Sequence, residues 1–305
     1  MLSKLFSSLS LSFTTSALPA PHCPHAKPEK TYHDVVDVPG IHKLPSSDHN
    51  VGWSMLSTVS IATAWTLASI HCNGFVTPHV YNEKALEDAV YFRSRKPGQG
   101  LITVANHVSE FDPGFIPMTL RWITCLRPRL VRWTLAAEDQ LFTNLASSYY
   151  FQSLKVLPVT RGGGVMQPNM LRAVDKLNGS SAWVNIFPEG RISMDHAPDE
   201  IPPLLPIKLG VGRLITECDT PPMVLPIYQE GMNVTKPPDK APIFSRDIHV
   251  HVAVGEPIEL ADILEQAAAE AWDDRRTWAA IAVRIGEAFA VMREEMAVRR
   301  AASGL

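Results

Sequence analysis

The chain has 305 residues with 28 basic and 31 acidic side chains, so its net charge is −3 and it has no basic excess typical of a nucleic-acid-binding protein. This length is enough to bury a core in one large domain or two smaller ones. Its four cysteines lie far apart with no Cys-x-x-Cys pair, which argues against a zinc cluster and against a disulfide framework. We therefore expect no metal and no nucleic-acid partner.

The first fifty residues are predicted to form a leader and an irregular connector. Residues 1–18 are rich in serine and contain one lysine and no acidic residue, but the missing arginine makes this a weak organelle-targeting signal. Residues 19–50 are rich in proline and histidine, which indicates an irregular chain.

The next segment, residues 51–70, contains no charged side chain and includes two tryptophans. As a helix it would be about 30 Å long, which is just the thickness of a bilayer core. Seven of its residues are serine or threonine, which is unfavourable for a spanning helix. The alternatives are a span, an interfacial or re-entrant helix, and a buried helix. We favour membrane contact without a full crossing.

The chain then alternates between strand-like and helix-like segments. The strand-like runs are 101–105, 131–137, 156–159, 182–187, 223–227 and 248–254. The helix-like segments are 113–126, 139–153, 165–178 and 208–218. This alternation predicts an α/β fold with a mostly parallel or mixed sheet flanked by helices, preceded by a membrane-associated helix. In such sheets, functional sites form outside the carboxyl ends of the strands.

We expect residues 51–260 to form the catalytic domain and residues 261–305 to form a C-terminal helical segment. That segment carries an apolar stripe at helical spacing, made by Ile281, Ile285, Phe289, Met292 and Met296. Packing of this stripe against the catalytic layer is the simplest interpretation, and contact with a membrane is the alternative.

The candidate catalytic pair is His107 and Asp112, directly after the apolar run 101–105. A five-residue offset separates the two side chains on a strand and on a helix, so a contact between them requires a turn. With such a contact the carboxylate fixes the imidazole tautomer and leaves the other ring nitrogen to act as a base. The alternative is structural, because Asp112 before Pro113 also fits the N-cap of a helix.

Three further blocks lie at predicted strand ends. Phe187-Pro188-Glu189-Gly190 brings a carboxylate and a flexible glycine to one strand end, although a surface turn would give the same pattern. Arg161 stands before three glycines and suits a phosphate, with a loop rich in glycine as the alternative. The short strand around Pro226 is expected to shape the wall of a site.

In type, order and spacing these blocks resemble the glycerolipid acyltransferases, which carry an H-x4-D box, an arginine box, an F-P-E-G box and a strand with proline. The resemblance covers roughly residues 50–260 and implies that His107 and Asp112 are catalytic. We expect substrate binding by Asn106, Arg161, Glu189 and Gly190, with Arg161 and Glu189 positioning the polar headgroup.

Within that family the chain is most similar to enzymes that move acyl chains between phospholipids and lysophospholipids without coenzyme A. The resemblance implies remodelling of cardiolipin, no cofactor, and a membrane surface as partner. It also implies a peripheral or monotopic place on a mitochondrial membrane, inner or outer, facing the intermembrane space. The sequence says nothing about oligomeric state.

Two other functions compete with this interpretation. An acyl-CoA-dependent lysophospholipid acyltransferase would use the same His107–Asp112 pair, and no sequence feature excludes it. A membrane-binding protein whose active site has lost its activity would not need His107 and Asp112. A lipase is disfavoured because G-x-S-x-G is absent.

Overall fold

The computed structural model describes residues 51–193, 200–235, 243 and 245–303. The leader and connector predicted for residues 1–50 lie outside these described residues.

Seven strands and ten α-helices alternate along the described residues. In chain order the strands are β1 (Thr77–Tyr81), β2 (Leu101–Ala105), β3 (Trp133–Ala137), β4 (Val156–Val159), β5 (Trp183–Ile186), β6 (Met223–Glu230) and β7 (His249–Val254). The helices are α1 (Val51–Gly74), α2 (Glu83–Val90), α3 (Asp112–Met118), α4 (Glu138–Leu141), α5 (Leu145–Ser153), α6 (Pro168–Ser180), α7 (Gly210–Thr216), α8 (Met232–Thr235), α9 (Ala261–Ala269) and α10 (Asp274–Ser303). Two 3₁₀ turns, Trp122–Leu126 and Pro128–Leu130, lie between α3 and β3.

The described strands form one sheet in the order β1-β7-β6-β2-β5-β3-β4. The strands from β6 to β4 are parallel, whereas β7 is antiparallel to β6 and β1 is parallel to β7. The predicted α/β fold with a mostly parallel or mixed sheet is therefore confirmed. The carboxyl ends of β2, β3, β4, β5 and β6 lie at one edge of the sheet, where a site is expected.

Side chains of β2 alternate between two hydrophobic layers, as the strand period requires. Leu101 and Ala105 pack with residues of α1, α2 and α3 on one face of the sheet. Ile102 and Val104 pack with α6, α7, α9 and α10 on the other face. The apolar stripe predicted for the C-terminal helix lies along α10 and is buried, so its packing against the sheet is confirmed.

Helix α1 packs along the sheet domain rather than away from it. Near its start, Ser57 Oγ donates to Ser153 O at the end of α5 over 2.7 Å, and the ring of Trp53 lies 6.3 Å from that of Tyr149. Near its end, the His71 and Phe111 rings lie 5.1 Å apart. Trp53 and His71 are about 27 Å apart along a helix axis, so α1 contacts the domain over most of its length.

Two of the predicted helices are interrupted. The segment 113–126 divides into α3 and a 3₁₀ turn, with Pro117 inside α3 and Arg121 extended at ψ 134°. The segment 139–153 divides at Asn144, whose side chain caps α5 by accepting from Ser147 N over 3.0 Å. A proline disrupts a helix and an N-capping asparagine begins a new one, so continuous apolar periodicity overestimates helix length here.

Candidate active site

His107 and Asp112 are in contact at the carboxyl end of β2. The His107 Nδ1 and Asp112 Oδ2 atoms are 2.9 Å apart, and the chain turns between them before α3 begins. The structure therefore supplies the turn that a contact at this spacing requires. Because Asp112 binds Nδ1, the Nε2 atom is the ring nitrogen that remains for proton exchange with a substrate.

Asp112 binds the preceding loop and does not cap α3. Its Oδ2 accepts from Val108 N over 2.6 Å and from Ser109 N over 2.8 Å, whereas Phe111 occupies the N-cap position. The N-cap alternative for Asp112 is therefore wrong in detail: the carboxylate holds the turn that carries His107. Burial raises the pKa of this fully buried carboxyl, and the bond to His107 and the two amide donors oppose that rise.

The imidazole of His107 is also held from one side. The rings of His107 and Phe187 stack with centroids 4.1 Å apart and planes inclined by 21°. The His107 side chain remains 17% exposed, so one edge of the ring is open to a ligand. The Asp112 bond and the Phe187 stack together fix the orientation of the ring before a substrate arrives.

Glu189 is buried behind this loop and binds backbone amides. Its Oε2 accepts from His107 N and its Oε1 accepts from Leu205 N, both over 3.2 Å, and the residue is 2% exposed. Glu189 therefore connects the segment that carries His107 to the segment around Leu205. Burial raises the pKa of Glu189 to about 7.

The raised pKa of Glu189 predicts a pH-dependent contribution to stability. Between about pH 4.5 and 7 the folded protein retains a proton that the unfolded chain has lost, so stability falls with rising pH by roughly 3 kcal/mol. In Glu189→Gln one of the two amides loses its acceptor, which lowers stability, but this pH dependence disappears. Urea unfolding measures the free energy of unfolding of both proteins at each pH. The excess stability of wild type over Glu189→Gln is expected to fall by about 3 kcal/mol between about pH 5 and about pH 8. Glu294→Gln on the exposed side of α10 is the control, and an unchanged excess would contradict the role of Glu189.

Gly190 lies beside Glu189 and is exposed, with φ at +70°. A side chain at this φ is strained, and a Cβ atom would also lie 3.4 Å from Lys208 Cγ. The glycine therefore allows the tight turn after β5, which Gly190 N closes by donating to Phe187 O over 3.0 Å.

Asn106 is buried and pairs with Gln229 at the end of β6. Asn106 Nδ2 donates to Gln229 O, Gln229 N donates to Asn106 Oδ1, and Gln229 Nε2 donates to Asn106 O, each over 2.8 Å. These bonds extend the β2–β6 pairing by one step and fix the end of β2. The sequence analysis missed Gln229, although its place directly after the apolar run 223–228 is a detectable signal.

Arg161 lies at the same edge of the sheet but at the end of β4, the outermost strand on that side. Three strand spacings separate β4 from β2, which places the two strand ends about 14 Å apart. The Arg161 side chain is 48% exposed, and its guanidinium pairs with Asp139 Oδ2 at 3.5 Å. The structure thus brings His107, Asp112, Glu189 and Asn106 together and leaves Arg161 apart.

Pro226 lies inside β6, between β2 and β7. The β6–β7 ladder begins only at Ile227, and the Pro226 carbonyl accepts from Gly255 N over 2.9 Å. Proline has no backbone N–H, but at this position no hydrogen bond between β6 and β7 is lost, which explains why a proline is tolerated in a central strand. Within the described residues, no group of three or more His, Cys, Asp or Glu side chains is arranged to hold a metal ion.

Comparisons with known proteins identify the class to which the chain belongs. A family model described as Acyltransferase matches residues 79–230. An N-acylphosphatidylethanolamine synthase of Arabidopsis thaliana is 36% identical over 219 residues, covering 70% of this chain and 73% of that protein. The Drosophila melanogaster tafazzin is 31% identical, and the aligned region covers 80% of this chain and 62% of that protein. The Dictyostelium discoideum tafazzin is also 31% identical, and the aligned region covers 66% of this chain and 70% of that protein.

One solved structure is also similar. The 1-acyl-sn-glycerophosphate (LPA) acyltransferase PlsC from Thermotoga maritima has a TM-score of 0.46 and 17% identity, covering 70% of this chain and 76% of that chain.

The family match spans the His107–Asp112 pair, Arg161 and Glu189, and together with these relatives it defines a phospholipid acyltransferase. The chain belongs to the tafazzin group of the glycerolipid acyltransferase family.

Proposed function

We propose that the enzyme transfers acyl chains between phospholipids and lysophospholipids without coenzyme A and remodels the acyl chains of cardiolipin. The observation that carries acyl transfer is the contact of 2.9 Å between His107 Nδ1 and Asp112 Oδ2 at the carboxyl edge of the sheet, whereas independence of coenzyme A and the choice of cardiolipin are proposed from the family resemblance. This pair provides a general base with a fixed tautomer and needs no cofactor for acyl transfer between two esters of similar energy.

In the proposed mechanism, His107 Nε2 removes the proton from the free hydroxyl of the lysophospholipid. The hydroxyl oxygen attacks the ester carbonyl of the donor phospholipid and forms a tetrahedral oxyanion. Collapse of this intermediate breaks the bond between the carbonyl carbon and the donor glycerol oxygen. The imidazolium returns its proton to that oxygen, so the donor leaves as a lysophospholipid and His107 is neutral again.

We further propose that the other predicted site residues act at different distances from this base. Glu189 and Asn106 are both buried and position the base: Glu189 accepts from His107 N, and Asn106, the residue before His107, is fixed by its bonds to the Gln229 backbone. Gly190 is exposed next to Glu189 and leaves room for a substrate to approach the backbone. Arg161 is far enough from His107 to contact a phosphate of a headgroup while the acyl ester lies at the base.

The enzyme is proposed to work at a membrane because both substrates are bilayer lipids. By length and composition α1 alone among the described helices is able to cross a bilayer. Its contacts with α5 and Phe111 near its two ends favour a helix that lies in the membrane interface, since a crossing would draw the sheet domain into lipid. Ala68 of α1 lies against Gly114 of α3, two residues beyond Asp112, so lipid at α1 is close to the base. The place on a mitochondrial membrane facing the intermembrane space is proposed from the family resemblance.

A second candidate reaction is acylation of the amine of phosphatidylethanolamine. The relative that is 36% identical, named N-acylphosphatidylethanolamine synthase, favours it. The same base would remove a proton from the attacking amine, so the His107–Asp112 geometry suits both acceptors.

The proposal is tested with purified enzyme and liposomes that contain cardiolipin, phosphatidylcholine labelled in its acyl chain, and one acceptor. The acceptors are a lysophospholipid or phosphatidylethanolamine, each with and without acyl-CoA. We expect label to move to the lysophospholipid without acyl-CoA, and cardiolipin to exchange acyl chains when monolysocardiolipin is the acceptor.

Each alternative gives a different result in this assay. Transfer only to the phosphatidylethanolamine amine would replace the proposed reaction with N-acylation. Acylation of the lysophospholipid only from added acyl-CoA would identify the CoA-dependent acyltransferase. No transfer to either acceptor under any condition would support a membrane-binding protein with a lapsed site.

A further inference from the structure

Three exposed arginines border the 3₁₀ turns between α3 and β3. Arg121 and Arg127 flank the turn Trp122–Leu126, and Arg129 lies in the next turn. None of the three side chains forms an ion pair within the described part of the chain. No acidic residue occurs between positions 113 and 137, although the whole chain has a net charge of −3. The positive charge of this segment is therefore not balanced by acidic residues within it.

An apolar surface lies directly beside these arginines. Trp122, Ile123 and Leu126 are exposed, and Trp122 Nε1 donates to Thr66 Oγ1 of α1 over 3.2 Å. Helix α5, which contacts the start of α1, exposes Leu145, Tyr149 and Tyr150. We call the exposed side of α1, the turn Trp122–Leu126 and the exposed side of α5 the docking face. Neither α1 nor α5 contains Asp, Glu, Lys or Arg.

We propose that the docking face binds an anionic lipid bilayer and that Arg121, Arg127 and Arg129 contact its acidic headgroups. The inference rests on the proposed function, which places both substrates in a bilayer. Tryptophan and tyrosine at this face match the side chains that settle at headgroup depth. Arginine stems lie along apolar surface while the charged ends reach the headgroups.

The charge pattern favours a lipid surface over a protein partner as the occupant. A headgroup layer accepts basic residues anywhere around the rim of the apolar surface, whereas a protein would need matched carboxylates opposite each arginine. Each basic residue near an anionic membrane contributes about a fivefold gain in binding, so the three together are expected to give on the order of a 100-fold preference.

The experiment measures binding of the full chain to two kinds of vesicle by flotation, without any activity readout. One kind contains phosphatidylcholine alone and the other also contains phosphatidylglycerol. We expect wild type to bind the anionic vesicles more tightly, and a triple variant with Arg121→Gln, Arg127→Gln and Arg129→Gln to lose about 100-fold on those vesicles only. Ile123→Asn is expected to weaken binding to both kinds of vesicle, because it removes apolar contact.

A matched triple variant controls for total charge. Arg172→Gln, Arg275→Gln and Arg299→Gln remove three exposed arginines from α6 and α10, on the opposite face of the sheet, and should leave vesicle binding unchanged. Equal binding of wild type to both vesicles, or an equal loss in both triple variants, would overturn the proposal.

Separate measurements test membrane binding by the docking face and the proposed acyl-transfer reaction. In detergent micelles of neutral lipid, the docking-face triple variant should transfer acyl chains as fast as wild type. Binding that depends on the three arginines without any acyl transfer would leave the docking face standing and refute the proposed reaction.

Discussion

Replacing His107 by alanine is expected to slow acyl transfer by about 10²- to 10⁴-fold, the contribution typical of a general base. The fold should survive, because Asp112 Oδ2 keeps its bonds to Val108 N and Ser109 N. The measurement compares transfer rates in liposomes and thermal unfolding of both proteins. His249→Ala, which removes a half-buried histidine from β7, is the matched control and should keep full activity. A His107→Ala enzyme with wild-type rates would refute the proposed base.

Replacing Asp112 is expected to give two different results, depending on the substituent. In Asp112→Asn the amide oxygen should occupy the Oδ2 position, because Val108 N, Ser109 N and His107 Nδ1 all converge there. The tautomer of His107 is then kept and only the charge opposite the imidazolium is lost. A charge-assisted hydrogen bond contributes about 1.5–3 kcal/mol, so the rate should fall by roughly 10- to 100-fold.

Asp112→Ala removes all three hydrogen bonds at once. Two buried amides then lack an acceptor, and each costs about 1–3 kcal/mol of folding stability. We therefore expect lower stability together with a transfer rate as low as that of His107→Ala. Kinetics and urea unfolding of the two Asp112 variants separate these effects. If Asp112→Asn were as inactive as Asp112→Ala at wild-type stability, the amide would have turned its nitrogen to the imidazole, contrary to this geometry.

Most of the sheet was predictable because buried parallel strands are continuous apolar runs. Strand β2 occupies the predicted residues, and the order of strands and helices after it predicts the parallel part of the sheet. Strand β1 escaped prediction because Thr77–Tyr81 is short and polar and contains a proline, as is usual for an edge strand.

The candidate site was predictable only where its residues are close in sequence. The five-residue spacing indicated that His107 and Asp112 could meet only through a turn. The pairing of Asn106 with Gln229 connects residues 123 positions apart, and Glu189 binds a backbone amide of Leu205 in a segment without any side-chain signal. Such contacts depend on which strands become neighbours, and a single sequence contains no measure of that. A glutamate that binds backbone looks the same in sequence as one that binds substrate.

The attachment of α1 along the sheet domain has a consequence for the two sides of a membrane. If α1 lies in the membrane interface as proposed, a helix attached to the domain near both ends would place the enzyme in one lipid monolayer only, and the base would meet the lipids of that monolayer and no others. Acyl chains would then be exchanged on one side of the membrane, and the opposite monolayer would change only as fast as lipids cross between them. The speed of that crossing, rather than the chemistry at His107, would set how quickly the membrane as a whole reaches a uniform acyl composition.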